Sequence, residues 1–332
     1  MFQASPWLSR SRALQGSAAA FVVFGLLLWW LLPVGEDAPS GAVNFSTGSR
    51  NGVYQQYGDL LKEALAKDMP DLQVTLRESE GSQENIERVV SGEADFTIAA
   101  ADAVEKYRLD KRPGWESLRG CARLYDDYVH LVVPRSSTVE TIADLRHKKV
   151  AMGEPGSGVR LISEQILTAS GLDPAKDITP VRGSITKMSE DLEHGRIAAF
   201  FWSGGLPTRA VASLSERFGI RLVSLGGNLI NKLHDQGGAS AYYRAADIPA
   251  DAYEEVQQGD AVPTVAVANV LVTRADMDAR LTERFTRTVI DSRDRIGERV
   301  HSAQLVDLRT AIYTDPLELH KGAQRYYRSV KP

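Results

Sequence analysis

Two glycine-rich stretches carry the residue types with the most chemistry to offer. The first is Thr47-Gly48-Ser49-Arg50-Asn51-Gly52-Val53-Tyr54, and the second is Gly153-Glu154-Pro155-Gly156-Ser157-Gly158. Each lies between a strand-like run and a helix-like run. Glycine lets the backbone turn tightly and expose N–H groups, and the helix that follows adds a partial positive charge. Small anions such as carboxylates bind well there. Arg50 in the first stretch, and Arg160 just after the second, offer guanidinium groups able to grip a carboxylate in two parallel bonds. Ser157 adds a hydroxyl. One such loop by itself reads more readily as an ordinary tight turn, whereas two in equivalent positions, facing across one cleft, favour binding.

A third stretch, Phe201-Trp202-Ser203-Gly204-Gly205-Leu206-Pro207-Thr208, ends a buried strand at a glycine pair. Trp202 there either walls a ligand or packs the core. Gly81-Ser82 and Asp102 stand at further strand ends. Asp102 either accepts a bond from a ligand amine or caps the next helix, and capping is the slightly stronger reading.

The search for catalysis is negative. No Gly-x-Ser-x-Gly, phosphate-loop or His-Glu-x-x-His pattern occurs, and none of the six histidines pairs with another four residues away. No catalytic residue, metal ligand or cofactor is assigned. His130, inside an apolar run, reads as a core histidine. The single cysteine, Cys121, makes no internal disulfide and reads as core packing.

The elements that must position these loops alternate. Strand patterns at Val43–Ser46, Leu72–Arg77 and Asp95–Ala99 are separated by helical patterns at about 53–66 and 82–91, with Ser82 as N-cap. The order repeats with strands at Lys149–Gly153, Ile178–Arg182 and Ala198–Trp202. Helices at about 158–170 and 184–194 lie between them. Such βαβαβ order predicts parallel strands with ligands at their carboxyl ends. Two longer runs, Tyr128–Val133 before Pro134 and Val262–Val272, join the units. The hinge is expected at Leu131–Arg135 outbound and Val265–Val272 returning. The fold class is α/β, two-lobed, with two hinge-crossing strands. Lobe one takes 43–130 plus 268–332, and lobe two takes 131–267. Leu281–Ile296 reads as an amphipathic helix.

Residues Gly16–Val34 form an uncharged apolar stretch of the length that spans a bilayer. Arg10 and Arg12 precede it, and Glu36 and Asp37 follow. Positive residues stay in the cytoplasm, so residues 1–15 are expected inside, 16–34 as one N-terminal transmembrane helix, 35–42 as a linker and the rest outside. A cleaved export signal is the alternative. The net charge of -4 and the lack of a basic face argue against nucleic acid. At 332 residues, 43% hydrophobic and 25% charged, the chain has material for two cored lobes. A monomer is expected, because a hinge must be free to move.

Taken in order, these segments resemble the TAXI family of solute-binding proteins that serve TRAP transporters. The markers are the Thr47–Tyr54 loop, Gly81-Ser82-Gln83-Glu84-Asn85, Ser91-Gly92-Glu93-Ala94-Asp95 and Leu124-Tyr125 through Val133. They continue with Ile142-Ala143-Asp144-Leu145, Gly153–Gly158, Gly204–Thr208 and Val262–Val267. The resemblance implies a periplasmic-binding-protein fold that hands a carboxylate-bearing solute, an acidic amino acid or dicarboxylate, to a TRAP membrane subunit. It implies that Thr47, Gly48, Tyr54, Ser82, Asp102, Gly156, Ser157, Gly158 and Gly205 line the cleft, with Tyr125 as a further candidate. The chain departs from the family pattern at Ser49-Arg50-Asn51, at Ala99-Ala100-Ala101 before Asp102, and at Val159-Arg160. The extra arginine at each loop suggests a more anionic solute. A sensor acting through a separate membrane partner is the alternative, and an enzyme on the same fold is a weaker one.

Overall fold

The computed structural model describes residues 39–257 and 259–330, and the 16–34 segment lies outside them. No helix among the described residues is long and apolar enough to cross a membrane.

Lobe one begins with β1 (Gly41–Ser46), α1 (Val53–Asp68), β2 (Leu72–Arg77), α2 (Ser82–Ser91), β3 (Phe96–Ala100) and α3 (Ala101–Leu109). β4 (Leu118–Pro134) then carries the chain across. Lobe two repeats the order with β5 (Lys149–Ala151), α4 (Gly158–Ala169), β6 (Thr179–Val181), α5 (Ile185–Glu193), β7 (Ala199–Gly204) and α6 (Arg209–Arg217). Next come β8 (Ile220–Leu222), α7 (Leu229–Gln236), β9 (Tyr243–Ile248) and α8 (Glu254–Gln257). β10 (Val262–Arg274) returns to lobe one, which is completed by α9 (Ala279–Asp291), α10 (Arg293–Gly297), α11 (Leu308–Ala311) and α12 (Lys321–Val330).

The strands follow the order β2-β1-β3-β10-β4-β7-β5-β6, with β8 on β4 and β9 on β10. Each lobe therefore holds three parallel strands closed by one long antiparallel strand that came from the other lobe. Parallel strands need covered faces. All five residues of β3 are buried, as are the first four of β7.

The hand-over between lobes is visible in the pairing. β4 pairs with β10 from Leu118 to Tyr128, and with β7 and β8 from Tyr128 to Pro134. β10 pairs with β9 from Val262 to Val267 and with β3 from Asn269 to Thr273. A register shift between Ala268 and Val270 marks the change. So Leu131–Val133, expected at the outbound hinge, are fully buried inside lobe two. The apolar run continues through the crossing point because β4 is covered on both sides of it. It carries no local sign of where the partner changes. Position 281–296 is also two helices rather than one, parted at Ser292, whose hydroxyl bonds back to the Thr288 carbonyl.

Two large cores form. One packs β4, β5 and β7 of lobe two with α4 and α5 around Leu131, Ile162, Met188 and Phe200. The other packs β1 and β3 of lobe one with α1 and α9, and stacks Phe96 on Phe285 at 4.2 Å. Cys121 is buried in the second core. His130 is buried in lobe two with its Nε2 2.9 Å from the Tyr253 hydroxyl, and burial pushes it down to about 4.

Candidate functional site

One cavity collects the carboxyl ends of the parallel strands of both lobes. Gly48, Ser49, Gly52, Val53 and Tyr54 enter from the β1–α1 loop, Glu80, Gly81 and Ser82 from β2–α2, and Ala100 and Asp102 from β3–α3. Lobe two contributes Gly153, Glu154, Ser157, Gly158 and Val159 from β5–α4. Gly183 and Ser184 come from β6–α5, and Trp202, Ser203 and Gly204 from the end of β7. Asp127 of β4 and Val267 of β10 reach it from the crossing strands. The enclosed non-atom space, part of it open to solvent, is about 670 Å³.

Local chemistry explains the loop shapes. Ser157 caps α4: its hydroxyl accepts the Arg160 N–H at 3.0 Å and donates to the Glu154 carbonyl at 2.7 Å. α1 starts at Gly52 with no side-chain cap, so its first N–H groups are left for another acceptor. Ser82 is not an N-cap; the cap position is Gly81, at φ 131°. The Ser82 hydroxyl instead accepts the Ala100 N–H at 3.1 Å and sits 3.1 Å from the Tyr54 hydroxyl, tying three lobe-one loops together.

The lobes touch beside the cavity. The Gln83 and Glu84 N–H groups of α2 donate to the Gly156 carbonyl at 3.1 and 3.2 Å, and the Gln83 amide donates to the Ser157 carbonyl at 2.9 Å. Tyr243 of β9 donates to Asp102 Oδ2 at 2.8 Å, while Asp102 Oδ1 accepts the Ala103 N–H. Leu161 of α4 packs with Ile86 and Val89 of α2.

Seven of the thirteen residues singled out from sequence line the cavity: Gly48, Tyr54, Ser82, Asp102, Ser157, Gly158 and Trp202. The other six stand elsewhere. Thr47 is buried behind the loop, its hydroxyl donating to Gln55 Oε1, with the Arg77 carbonyl at 3.1 Å as the other acceptor within reach. Gly156 spends its carbonyl on α2. Tyr125 faces the lobe-one core, 5.6 Å from Tyr57. Gly205 backs onto Ser302 and Val53. Arg50, with its side chain 81% exposed, pairs with Glu78, and Arg160 pairs with Glu164 one helical turn on. The two arginines that suggested an anionic solute are thus engaged outside the cavity.

Asp127, Glu80 and Glu154 were missed. Asp127 did leave a signal: a buried carboxylate within an apolar strand run is unusual and informative. Together with Asp102 they give the lining four carboxylates and, among the described lining residues, no lysine, arginine or histidine. Burial pushes Asp127 up to about 7, against the lowering influence of the polar Asn269 and Tyr54 side chains beside it, and the nearby Asp102 charge adds to the rise. Burial likewise pushes Asp102 up to about 6, against the bond from Tyr243. Glu80 is raised by burial and by Glu154 across the cleft. Among the described residues, no group of three His, Cys, Asp or Glu is placed to hold a metal ion.

A family model described as the NMT1-like family matches residues 45–330. Among solved structures, the chain is similar to the alkanesulfonate-binding protein SsuA from Xanthomonas axonopodis pv. citri bound to MOPS, at 16% identity. That match has a TM-score of 0.51 and covers 90% of this chain and 86% of that one. XAC2383 from Xanthomonas citri bound to ATP matches at 13% identity and TM-score 0.52, over 88% and 100% of the two chains. An OxyR mutant from Corynebacterium glutamicum, H2O2-bound, matches at 12% identity and TM-score 0.52, over 90% and 78%. At such identities the likeness is one of fold. It is the two-lobed α/β architecture expected from the resemblance.

Proposed function

We propose, from the premise that this chain belongs to the NMT1-like family, that it is an extracytoplasmic solute-binding protein which closes its lobes on a small molecule and presents it to a membrane transporter. One observation carries the reading: six strand-end loops, three from each lobe, and both crossing strands converge on one cavity. A ligand that bridges two lobes stabilises the closed arrangement by its differential contacts, which is what capture and hand-over require. A protein of the same fold, the SsuA of Xanthomonas axonopodis pv. citri, is an alkanesulfonate-binding protein found with MOPS.

The finer reading is that the solute bears a carboxylate and that the partner is a TRAP-type membrane subunit. The uncapped start of α1, with Ser49 and Gly52 on the wall, supports a carboxylate end. The ordered TAXI-like motifs support the TRAP partner. Membrane attachment through residues 16–34, or export with their removal, belongs to the same proposal. So do the lobe limits of 43–130 plus 268–332 and 131–267. The protein acts here as a binder and not as an enzyme.

Thermal unfolding of the full chain against amino acids, carboxylates, keto acids, sugar acids and sulfonates tests this. A ligand at 100 times its Kd adds about 2.7 kcal/mol, a shift of a few degrees. A shift with one class, weakened at least tenfold in affinity by Ser157→Ala or Trp202→Ala, is expected. Arg50→Ala and Arg160→Ala are expected to stay within about twofold, because neither side chain lines the cavity. Absence of a shift with every class overturns the proposal.

A further inference from the structure

We propose that the flank of lobe one formed by α9 and α12 is a docking surface for anionic phospholipid headgroups; the choice of lipid as the partner rests on the membrane-attachment reading above.

Two cationic rows make the surface. α9 carries Arg280, Arg284 and Arg287, and α12 carries Lys321, Arg325 and Arg328. Both sets follow i, i+4, i+7 spacing, so each runs along one face of its helix. The opposite faces are buried, Phe285 and Val289 of α9 and Tyr326 and Tyr327 of α12 all joining the lobe-one core. Gly322 lets the helices approach, since a Cβ there would stand 2.2 Å from the Ala279 carbonyl oxygen. The Arg287 guanidinium lies 5.1 Å from the centre of the Tyr326 ring, which makes the two rows neighbours.

The positive charge on this flank is left over. The two helices hold six cations against two acids, Glu283 and Asp291, in a chain whose formal net charge is -4. Glu283 stands 3.9 Å from Arg287. Arg284, Lys321, Arg325 and Arg328 are exposed and have no acidic partner among the described residues. On other faces exposed arginines are paired, Arg217 with Glu193 and Arg309 with Asp307. Rows spread along two adjacent helices match an extended anionic plane better than one small anion, and each cation near such a plane adds to the attraction.

Connectivity points to lipid as that plane. The parallel strands β1, β2 and β3 send their carboxyl ends to the cavity, so the start of β1 lies at the far end of the lobe. β10 runs antiparallel to β3 and ends at that same far end, with α9 beginning five residues later. On the attachment reading the chain leaves the bilayer at Val34 and enters β1 at Gly41. At most about 25 Å of extended chain then separates this end of lobe one from the membrane.

Energy transfer to labelled lipid tests the surface. Ser329→Cys puts a reactive thiol on exposed α12 next to Arg325 and Arg328, while Cys121 is buried. The full chain, with a donor dye on that thiol, is reconstituted with vesicles of phosphatidylcholine, with or without phosphatidylglycerol, that carry a headgroup-labelled acceptor. At low salt, transfer is expected to be at least twofold higher on the anionic vesicles. The excess is expected to vanish at about 0.5 M salt, where screening acts within about 4 Å. Combined Arg284→Glu, Arg325→Glu and Arg328→Glu, folded by circular dichroism, is expected to abolish it as well. Equal transfer on both vesicles, or an excess that survives salt or the triple substitution, overturns the inference. Flotation with the neutral vesicles reads attachment separately: a chain that stays behind there refutes the tether, and the anionic excess still decides the surface. The wild-type salt series is decisive by itself if the triple variant does not fold.

Discussion

Asp127 sits almost wholly buried on β4 with one oxygen bonded to nothing among the described residues. Holding a charge there is expensive, so the folded protein keeps the proton that the unfolded chain gives up. Its carboxyl is raised from 3.8 to about 7, with Asp102, Tyr54 and Asn269 as its near neighbours. The sign follows from proton counting: between pH 4 and pH 7 the native state binds more protons than the unfolded one. Stability is then full below about pH 4 and is lost as pH rises through about 7. Asp102, raised to about 6, adds in the same direction. Asp127→Asn is therefore expected to stabilise the ligand-free protein at pH 7.5 by on the order of 1 to 3 kcal/mol, with no gain below pH 4. Urea unfolding across pH measures this, and a destabilised Asn variant at pH 7.5 would contradict it.

At the scale of elements, the lobe-one wall depends on one side chain of α2. Asn85 is fully buried, and all of its groups are used. Its amide donates to the Thr47 carbonyl at 2.6 Å and the Ile98 carbonyl at 2.9 Å, and its oxygen accepts the Ser46 and Ser79 hydroxyls at 2.7 Å each. It thereby fixes the ends of β1 and β3 and the β2–α2 loop against one another. Asn85→Asp keeps the size but removes both donors. The Thr47 carbonyl keeps the Ser79 hydroxyl at 3.0 Å and the Ile98 carbonyl the Thr97 hydroxyl at 3.3 Å, so two hydrogen bonds are lost without orphaning either acceptor, and a total loss of about 1 to 3 kcal/mol is expected. The check is a lower denaturant midpoint with an unchanged slope. A loss under about 1 kcal/mol would show that this network does not hold the wall. Within the sequence, Gly81-Ser82-Gln83-Glu84-Asn85 was legible as a motif. What Asn85 joins was not, because its partners come from three separate segments.

At the scale of the whole molecule, the lobes meet where α2 faces the β5–α4 loop, and Gly81 is one of the close points of that approach. It adopts φ 131°, and a Cβ there would stand 3.4 Å from the Ser157 Cα. Only glycine takes this backbone at low cost. Gly81→Ala strains the loop by about 1 to 3 kcal/mol and crowds the contact that Gln83 and Glu84 make with Gly156. The variant is expected to bind solute more weakly and to show a smaller decrease in radius of gyration on ligand addition by small-angle scattering. Wild-type compaction at wild-type affinity would argue that the lobes close some other way.

The sequence by itself determined the alternation of strands and helices, the doubled βαβαβ plan and the two glycine loops. These rest on local rules: periods of 2.0 and 3.6, and backbone turns only glycine makes cheaply. It also located seven residues of the cavity wall, since side chains at strand ends share one edge of a sheet. The tertiary structure alone decided where the lobes exchange strands, because β4 stays apolar through the crossing and only its partners change. It alone decided that Arg50 and Arg160 turn away from the cavity, each drawn into an ion pair, with Glu78 and Glu164. And it alone set the sign of the site. That depends on Asp127 of β4 standing beside loops up to about 80 residues away in the chain, a proximity fixed by strand pairing and not by spacing.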